Sequence, residues 1–230
     1  MAKVRVFVDH SNFECSWERA RGSARDRLNW ARLPSLLIER MMRLESLTGS
    51  QVDFRGVSVY ASVHPCPNGD QGRESNRAFW LQSVLDQMEG YTVKVSTRQA
   101  VEEVCNEGHR TTAYREKGVD TKIACDMLSL AMRDLYDIAL VLSDDADLIP
   151  SVECVQDVLD KKVIHVGIKG PRPTGGQIRS SAWAHILLDP DLIRAPERDR
   201  SAAAAKHGSS APDDKLEPAT PPSDTGPFPE

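Results

Sequence analysis

The sequence has no uninterrupted apolar run of about 18 residues, which excludes a membrane-spanning helix. It also has no charged lead-in followed by a cleavage site. Met1-Ala2-Lys3-Val4 passes directly into an apolar run, so secretion is not expected. A paired cysteine set is missing too. The five cysteines (Cys15, Cys66, Cys105, Cys125 and Cys154) are odd in number and dispersed, and the expectation is reduced thiols in a cytoplasmic protein. Positive charge is not in excess: 29 Lys and Arg stand against 34 Asp and Glu, a net charge of −5. That argues against a nonspecific nucleic-acid coat, but not against an enzyme that gathers carboxylates in one place with basic residues around it. There is no GxxxxGK and no GxGxxG, so nucleotide binding of those kinds has no support. What remains is ordinary globular composition over 230 residues, 40% apolar and 27% charged. That is enough chain to bury a core without disulfide or metal staples.

The chain divides by composition. Residues 195–230 hold seven of the 14 prolines, the run Ala202–Ala205 and a single aromatic residue, Phe228. Such a segment cannot bury enough apolar area to offset the entropy of ordering it. It reads as a flexible Pro/Ala/Ser-rich tail behind one domain, residues 1–194. Within that domain, strand patterns at Val4–Val8, Asp53–Tyr60, Tyr91–Val95, Ile138–Leu142 and Val163–Ile168 alternate with helical patterns at Trp30–Leu47, Arg77–Met88, Asp120–Leu135 and Leu148–Leu159. Ala184–Leu188 is a candidate final strand. This alternation predicts a three-layer α/β/α sandwich with a mainly parallel sheet. The Ile138–Leu142 and Val163–Ile168 runs are almost wholly apolar, as strands covered on both faces should be.

Parallel sheets place their chemistry where strands end and loops lead into helices. Asp9 follows the first strand in Val8-Asp9-His10-Ser11-Asn12, and Ser143-Asp144-Asp145-Ala146-Asp147 follows the Ile138–Leu142 strand. Carboxylates this dense repel one another unless a cation neutralises them or they splay into water. A hard ion such as Mg²⁺ or Mn²⁺ suits them. Helix capping would account for one aspartate, Asp144 or Asp145, but not for three with Asp9 besides. Asp120, in Lys117-Gly118-Val119-Asp120, stands where a helix should start, and taken alone is best explained as a cap. Asp126 lies on or beside the apolar stripe of that helix, either at the rim of a site or paired with a base.

These three segments resemble the signatures of the NYN domain, with the LabA-like branch of these PIN-like proteins as the nearest pattern. The order is right, and the resemblance reaches from the first strand to about Gly167. It implies a PIN-like α/β fold whose clustered aspartates bind Mg²⁺ or Mn²⁺ and cleave RNA. By motif position the metal ligands fall on Asp9, Asp120, Asp145 and Asp147, with Asn12 and Ser143 as further catalytic positions that orient ligands or a phosphate oxygen. Substrate anions then need basic residues; the candidates are Lys117, Lys122, Arg115 and Arg172, with Arg98, Arg110, Lys169 and Arg179 behind them. Asp144 stands where the family usually has glycine, Leu148 where it has an aromatic residue, and His10 where a small residue is common. PIN-like domains often pair, so a homodimer is a candidate state.

Other signals carry less. His64, Cys66, Cys105 and His109 offer four soft ligands, but their spacing is not that of a standard zinc pair. Cys125 and Cys154 sit in apolar helical contexts and read as small core residues. Trp30 and Trp80 read as core, and Trp17 as a base-stacking candidate. The loop from Gly170 to Gly176 reads as a connector rather than a phosphate contact.

The expected function is a metal-dependent endoribonuclease acting on single-stranded or structured RNA. The alternative is a catalytically weak or inactive PIN-like RNA-binding or scaffold module, favoured by Asp144 and Leu148. A HAD-like phosphatase needs Asp-x-Asp where this chain has Asp9-His10-Ser11. A receiver-like domain needs a central aspartate where the second strand ends in Tyr60. Deletion of residues 195–230 should leave the thermal melting temperature nearly unchanged; a drop of several degrees would show that the tail docks.

Overall fold

The computed structural model describes residues 1–24, 26–65, 73–104, 109–171 and 176–196. In chain order the elements are β1 (Ala2–Asp9), α1 (His10–Ala20), α2 (Leu33–Met41), β2 (Val52–Val63), α3 (Arg73–Trp80), β3 (Tyr91–Thr97), β4 (Gln99–Val104), β5 (Arg110–Arg115), α4 (Val119–Met132), β6 (Ile138–Leu142), α5 (Ile149–Asp157), β7 (Lys162–Ile168), α6 (Gly176–Ser181), β8 (Ala184–Leu188) and α7 (Pro190–Ile193). Six strands form one wholly parallel sheet in the order β3-β2-β1-β6-β7-β8. Strands β4 and β5 form a separate antiparallel hairpin.

Period-2 alternation sends successive strand side chains into two cores. Val4, Val6 and Val8, Ile138, Leu140 and Leu142, and Ile164, Val166 and Ile168 meet α1, α2 and the segment after α3 on one face. Phe7, Ala139, Val141 and Val163 meet α4, α5 and α6 on the other. The result is the expected three-layer α/β sandwich, a PIN-like fold. None of the described helices is long and apolar enough to cross a membrane.

The order of strands fixes where a site belongs. From β1 the chain moves outward to β2 and β3; from β6 it moves the other way to β7 and β8. The carboxyl ends of the adjacent β1 and β6, paired through Val8↔Leu142, therefore lead into loops that diverge and leave a crevice between them.

Several elements differ from their sequence patterns. The helix expected over Trp30–Leu47 starts at Leu33, with Pro34 in its first turn, and ends at Met41, before a single 3₁₀ turn at Glu45–Leu47. The helix expected from Arg77 begins at Arg73 and widens into a π-type turn, Leu81–Leu85, that buries both of its leucines. Helix α1 and the β4–β5 hairpin carry no clear periodic signal. Trp17 is buried, four residues after Phe13 on the core face of α1, so it is packing and not a stacking platform. Cys125 is exposed rather than core, and Cys154 is half-buried. Cys66, Cys105 and the tail from residue 197 onward lie outside the described residues. Ala195 still belongs to the folded body, donating to the Arg27 carbonyl at 2.7 Å.

One glycine is required by the sheet itself. The β1–β2 register slips between Val4↔Phe54 and Val6↔Val57, so β2 carries an extra residue there. Gly56 absorbs the bulge at φ +98°, and a Cβ on it would stand 2.7 Å from the Gly90 carbonyl oxygen, which accepts from the Val57 N–H at 2.8 Å. Gly56→Ala should therefore cost on the order of 3 kcal/mol through strain and displacement of the Gly90 turn. Gly49→Ala, at φ +79° with nothing within 4 Å, should cost only about 1 kcal/mol. Urea midpoints of the two variants check the ranking.

Candidate metal centre

The crevice between β1 and β6 gathers three carboxylates from three separate parts of the chain. Asp9 ends β1, Asp145 lies in the loop after β6, and Asp120 lies in the first turn of α4; one oxygen from each lies within 4.8 Å of the others. Local structure explains each placement. Asp9 is the N-cap of α1, its Oδ1 accepting from the Asn12 N–H at 3.0 Å. Asp145 caps the short 3₁₀ turn Ala146–Leu148, accepting from the Asp147 N–H at 2.9 Å. Asp120 is not a cap. That position belongs to Gly118, whose φ of +78° turns the chain out of the hairpin into α4. Asp120 is free to face the crevice, near the positive end of the α4 dipole.

Neighbouring groups orient the cluster. The Ser143 hydroxyl donates to Asp9 Oδ2 at 3.3 Å and accepts from the Asp145 N–H at 3.2 Å. The Asn12 side-chain carbonyl accepts from the Asp144 N–H at 2.9 Å, tying α1 to the β6 loop. Of the residues expected at the site, Asp9, Asp120, Asp145, Asn12 and Ser143 thus come together. Asp147 is exposed and outside the three-carboxylate group, though near enough to push up the Asp120 pKa.

The electrostatics are those of anions held together. Asp9 is 3% exposed. Burial, reinforced by Glu116 and Asp120, pushes its pKa from 3.8 up to about 6, against the opposing hydrogen bonds from Asn12 and Ser143. Asp120 is raised as well, by burial and then by Asp145 and Glu116. Glu116 is a fourth carboxylate that sequence reasoning passed over, although it directly precedes the Lys117-Gly118 motif. Its Oε2 accepts from the hydroxyls of Ser11, at 3.0 Å, and Ser62. Every donor is a hard oxygen, the set that Mg²⁺ or Mn²⁺ takes, so these residues fit such an ion.

Three residues around the crevice have other duties. His10 is buried and stacked on Trp30 at 5.7 Å; its Nδ1 accepts from Arg77 at 3.1 Å. Burial and then the Arg77 charge push its pKa down to about 3, so it is neutral. Asp144 does not join the cluster. Its carboxylate accepts from Ser16 Oγ and is paired with His165 Nε2, both at 3.0 Å. Asp126 is paired with a base: Lys94 and the Tyr60 hydroxyl both donate to it. Burial raises its pKa, but those two bonds outweigh burial and leave it below the ordinary carboxylate value.

The basic candidates are scattered. Lys117 is exposed beside Gly118, and Lys122 donates to Ser96 Oγ at 2.7 Å. Arg115 is held on the hairpin by Glu103. Arg172 lies outside the described residues.

The sequence matches the model of the NYN domain over residues 3–189. The chain therefore belongs to the NYN domain family, a PIN-like nuclease family. A solved protein of unknown function from Vibrio parahaemolyticus shares the fold at a TM-score of 0.52 and 19% identity, over 84% of this chain and 96% of that one. A protein from Agrobacterium tumefaciens described as a "putative ribokinase" aligns at a TM-score of only 0.35 and 17% identity, over 81% of this chain and 59% of that one. That likeness is too slight to bear on function. No curated protein matches the sequence.

A raised carboxylate pKa fixes the sign of a stability effect. Asp9 binds its proton more tightly folded than unfolded, so its contribution is full below pH 3.8 and is lost as pH rises through about 6. Asp9→Asn cannot ionise. In chelator at pH 7 the variant should be more stable than the parent by on the order of 1–2 kcal/mol, and the gap should close towards pH 4. Urea unfolding at the two pH values measures it.

Proposed function

We infer that this protein is a divalent-metal-dependent endoribonuclease. One observation carries the reading: Asp9, Asp120 and Asp145, distant in the chain, bring oxygens within 4.8 Å of one another at the crevice of a parallel sheet. Family membership supports nuclease chemistry. Asp9, Asp120 and Asp145 would hold Mg²⁺ or Mn²⁺, with Asp147 at the outer edge. Such an ion supplies Lewis acidity towards the scissile phosphodiester and a bound water of lowered pKa. Ser143 holds the Asp9 and Asp145 segments at their present spacing, and Asn12 keeps α1 against the β6 loop. Lys117 and Lys122, on either side of Asp120, supply positive charge for RNA phosphates. The two departures from the family pattern do not intrude on the carboxylates, because Asp144 is engaged by Ser16 and His165 and Leu148 is buried in the core. This favours catalysis over a purely RNA-binding role.

The purified protein should cleave RNA in Mg²⁺ or Mn²⁺ and stop in chelator, and Asp145→Asn should lower the rate at least about 100-fold. At a fixed, subsaturating cation concentration activity should also fall as pH is lowered, and added cation should move the fall to lower pH, because the cation must displace the proton that Asp9 binds more tightly than an ordinary carboxylate. RNA binding without cleavage by the parent would favour the scaffold reading. Equal cleavage by parent and variant would indicate a contaminating nuclease.

A further inference from the structure

Beside the carboxylates lies an open cleft of about 390 Å³ lined by Lys94, Thr121, Lys122, Cys125 and Asp126. One wall is β3, at the edge of the sheet, and the other is the exposed side of the first turns of α4. Sheet register sets its distance from the metal centre. Asp9 is level with Tyr60, and Tyr60 with Lys94. With strands about 4.8 Å apart, the Lys94 backbone stands roughly 10 Å from that of Asp9. Lys122 is two residues beyond Asp120 on α4 and reaches across to Ser96 at 2.7 Å. A polynucleotide with one phosphate at the carboxylates would meet this cleft with the next.

Lys94 is held where a phosphate would find it. Its ammonium sits 5.7 Å above the Tyr60 ring and donates to Asp126, which also accepts from the Tyr60 hydroxyl. A carboxylate and a phosphodiester offer an ammonium the same kind of charged oxygen. The Lys94–Asp126 pair is partly solvated, with side chains 42% and 23% exposed, and pairs of that kind contribute little net stability. Exchanging one anion for the other is therefore inexpensive, and a phosphodiester adds the release of its own counterions.

We propose that the β3–α4 cleft is the subsite for the RNA backbone adjoining the scissile phosphate, with Lys94 and Lys122 as phosphate contacts and Asp126 as the internal counterion that holds Lys94 until RNA displaces it. This deepens the ribonuclease reading and rests on it. It also gives Asp126 a role: a carboxylate on the flank of the apolar stripe that keeps a lysine ordered in the cleft.

The test is RNA binding in an Asp145→Asn background, read by fluorescence anisotropy of a labelled single-stranded oligonucleotide over a KCl series. Lys94→Ala and Lys122→Ala should each weaken binding several-fold and reduce the salt slope by about 0.7. Lys94→Arg should restore the affinity. Asp126→Asn, which keeps an acceptor for the Tyr60 hydroxyl but frees Lys94, should tighten binding; a purely structural ion pair would give no gain. RNA should also protect the free, exposed Cys125 thiol from alkylation, followed by peptide mapping. Unchanged affinity in the Lys94, Lys122 and Asp126 variants, with Cys125 alkylated equally with and without RNA, overturns the subsite while cleavage by the parent leaves the ribonuclease reading standing. Absence of both binding and cleavage in every form overturns both.

Discussion

Mutual repulsion among carboxylates crowded around a buried Asp9 is the constraint on which the crevice depends. Asp9, Asp120 and Asp145, with the exposed Glu116 close enough to add its charge, would move apart if the chain allowed it, and it does not. Asp9 is fixed as the cap of a helix whose apolar face is sealed into one core, and Asp145 as the cap of the turn that leads into α5. Asp120 rides on a helix whose Val119, Ile123 and Met127 are buried in the other core. Apolar burial in the two cores, at about 25 cal/mol per Å², opposes the cost of crowding the anions. The raised proton affinities of Asp9 and Asp120 express that opposition.

Much of this was legible in the sequence, for identifiable reasons. The strands β6 and β8 were found at their observed bounds, and β1, β2, β3 and β7 within a few residues. Buried parallel strands are written in runs of Val, Ile and Leu that few other structures tolerate. Asp9, Asp120 and Asp145 were legible because each follows a strand or opens a helix, and because the three segments carry the pattern of a family.

What was missed encodes little apolar burial. Helix α1 reaches the core mainly through Phe13 and Trp17, too few residues to show a period. The β4–β5 hairpin is exposed on both faces, so no core selects its residues. Glu116 escaped because its partners, Ser11 and Ser62, lie on other elements. The reading of Cys125 as core failed because Ile123 and Met127, not Cys125, face the sheet. Asp126, on α4, takes its place from Lys94 on β3, a partner 32 residues away that no local pattern reveals.

Asp144 tethers the loop after β6 on two sides. Its backbone is bound by Asn12 and its carboxylate by Ser16 and His165, so the segment carrying Asp145 is lashed both to α1 and to β7. Where a glycine would leave that segment pliable, here its freedom is surrendered as the chain folds. An incoming cation would then meet an assembled cage, and its affinity would not be reduced by the entropy of gathering a loose loop.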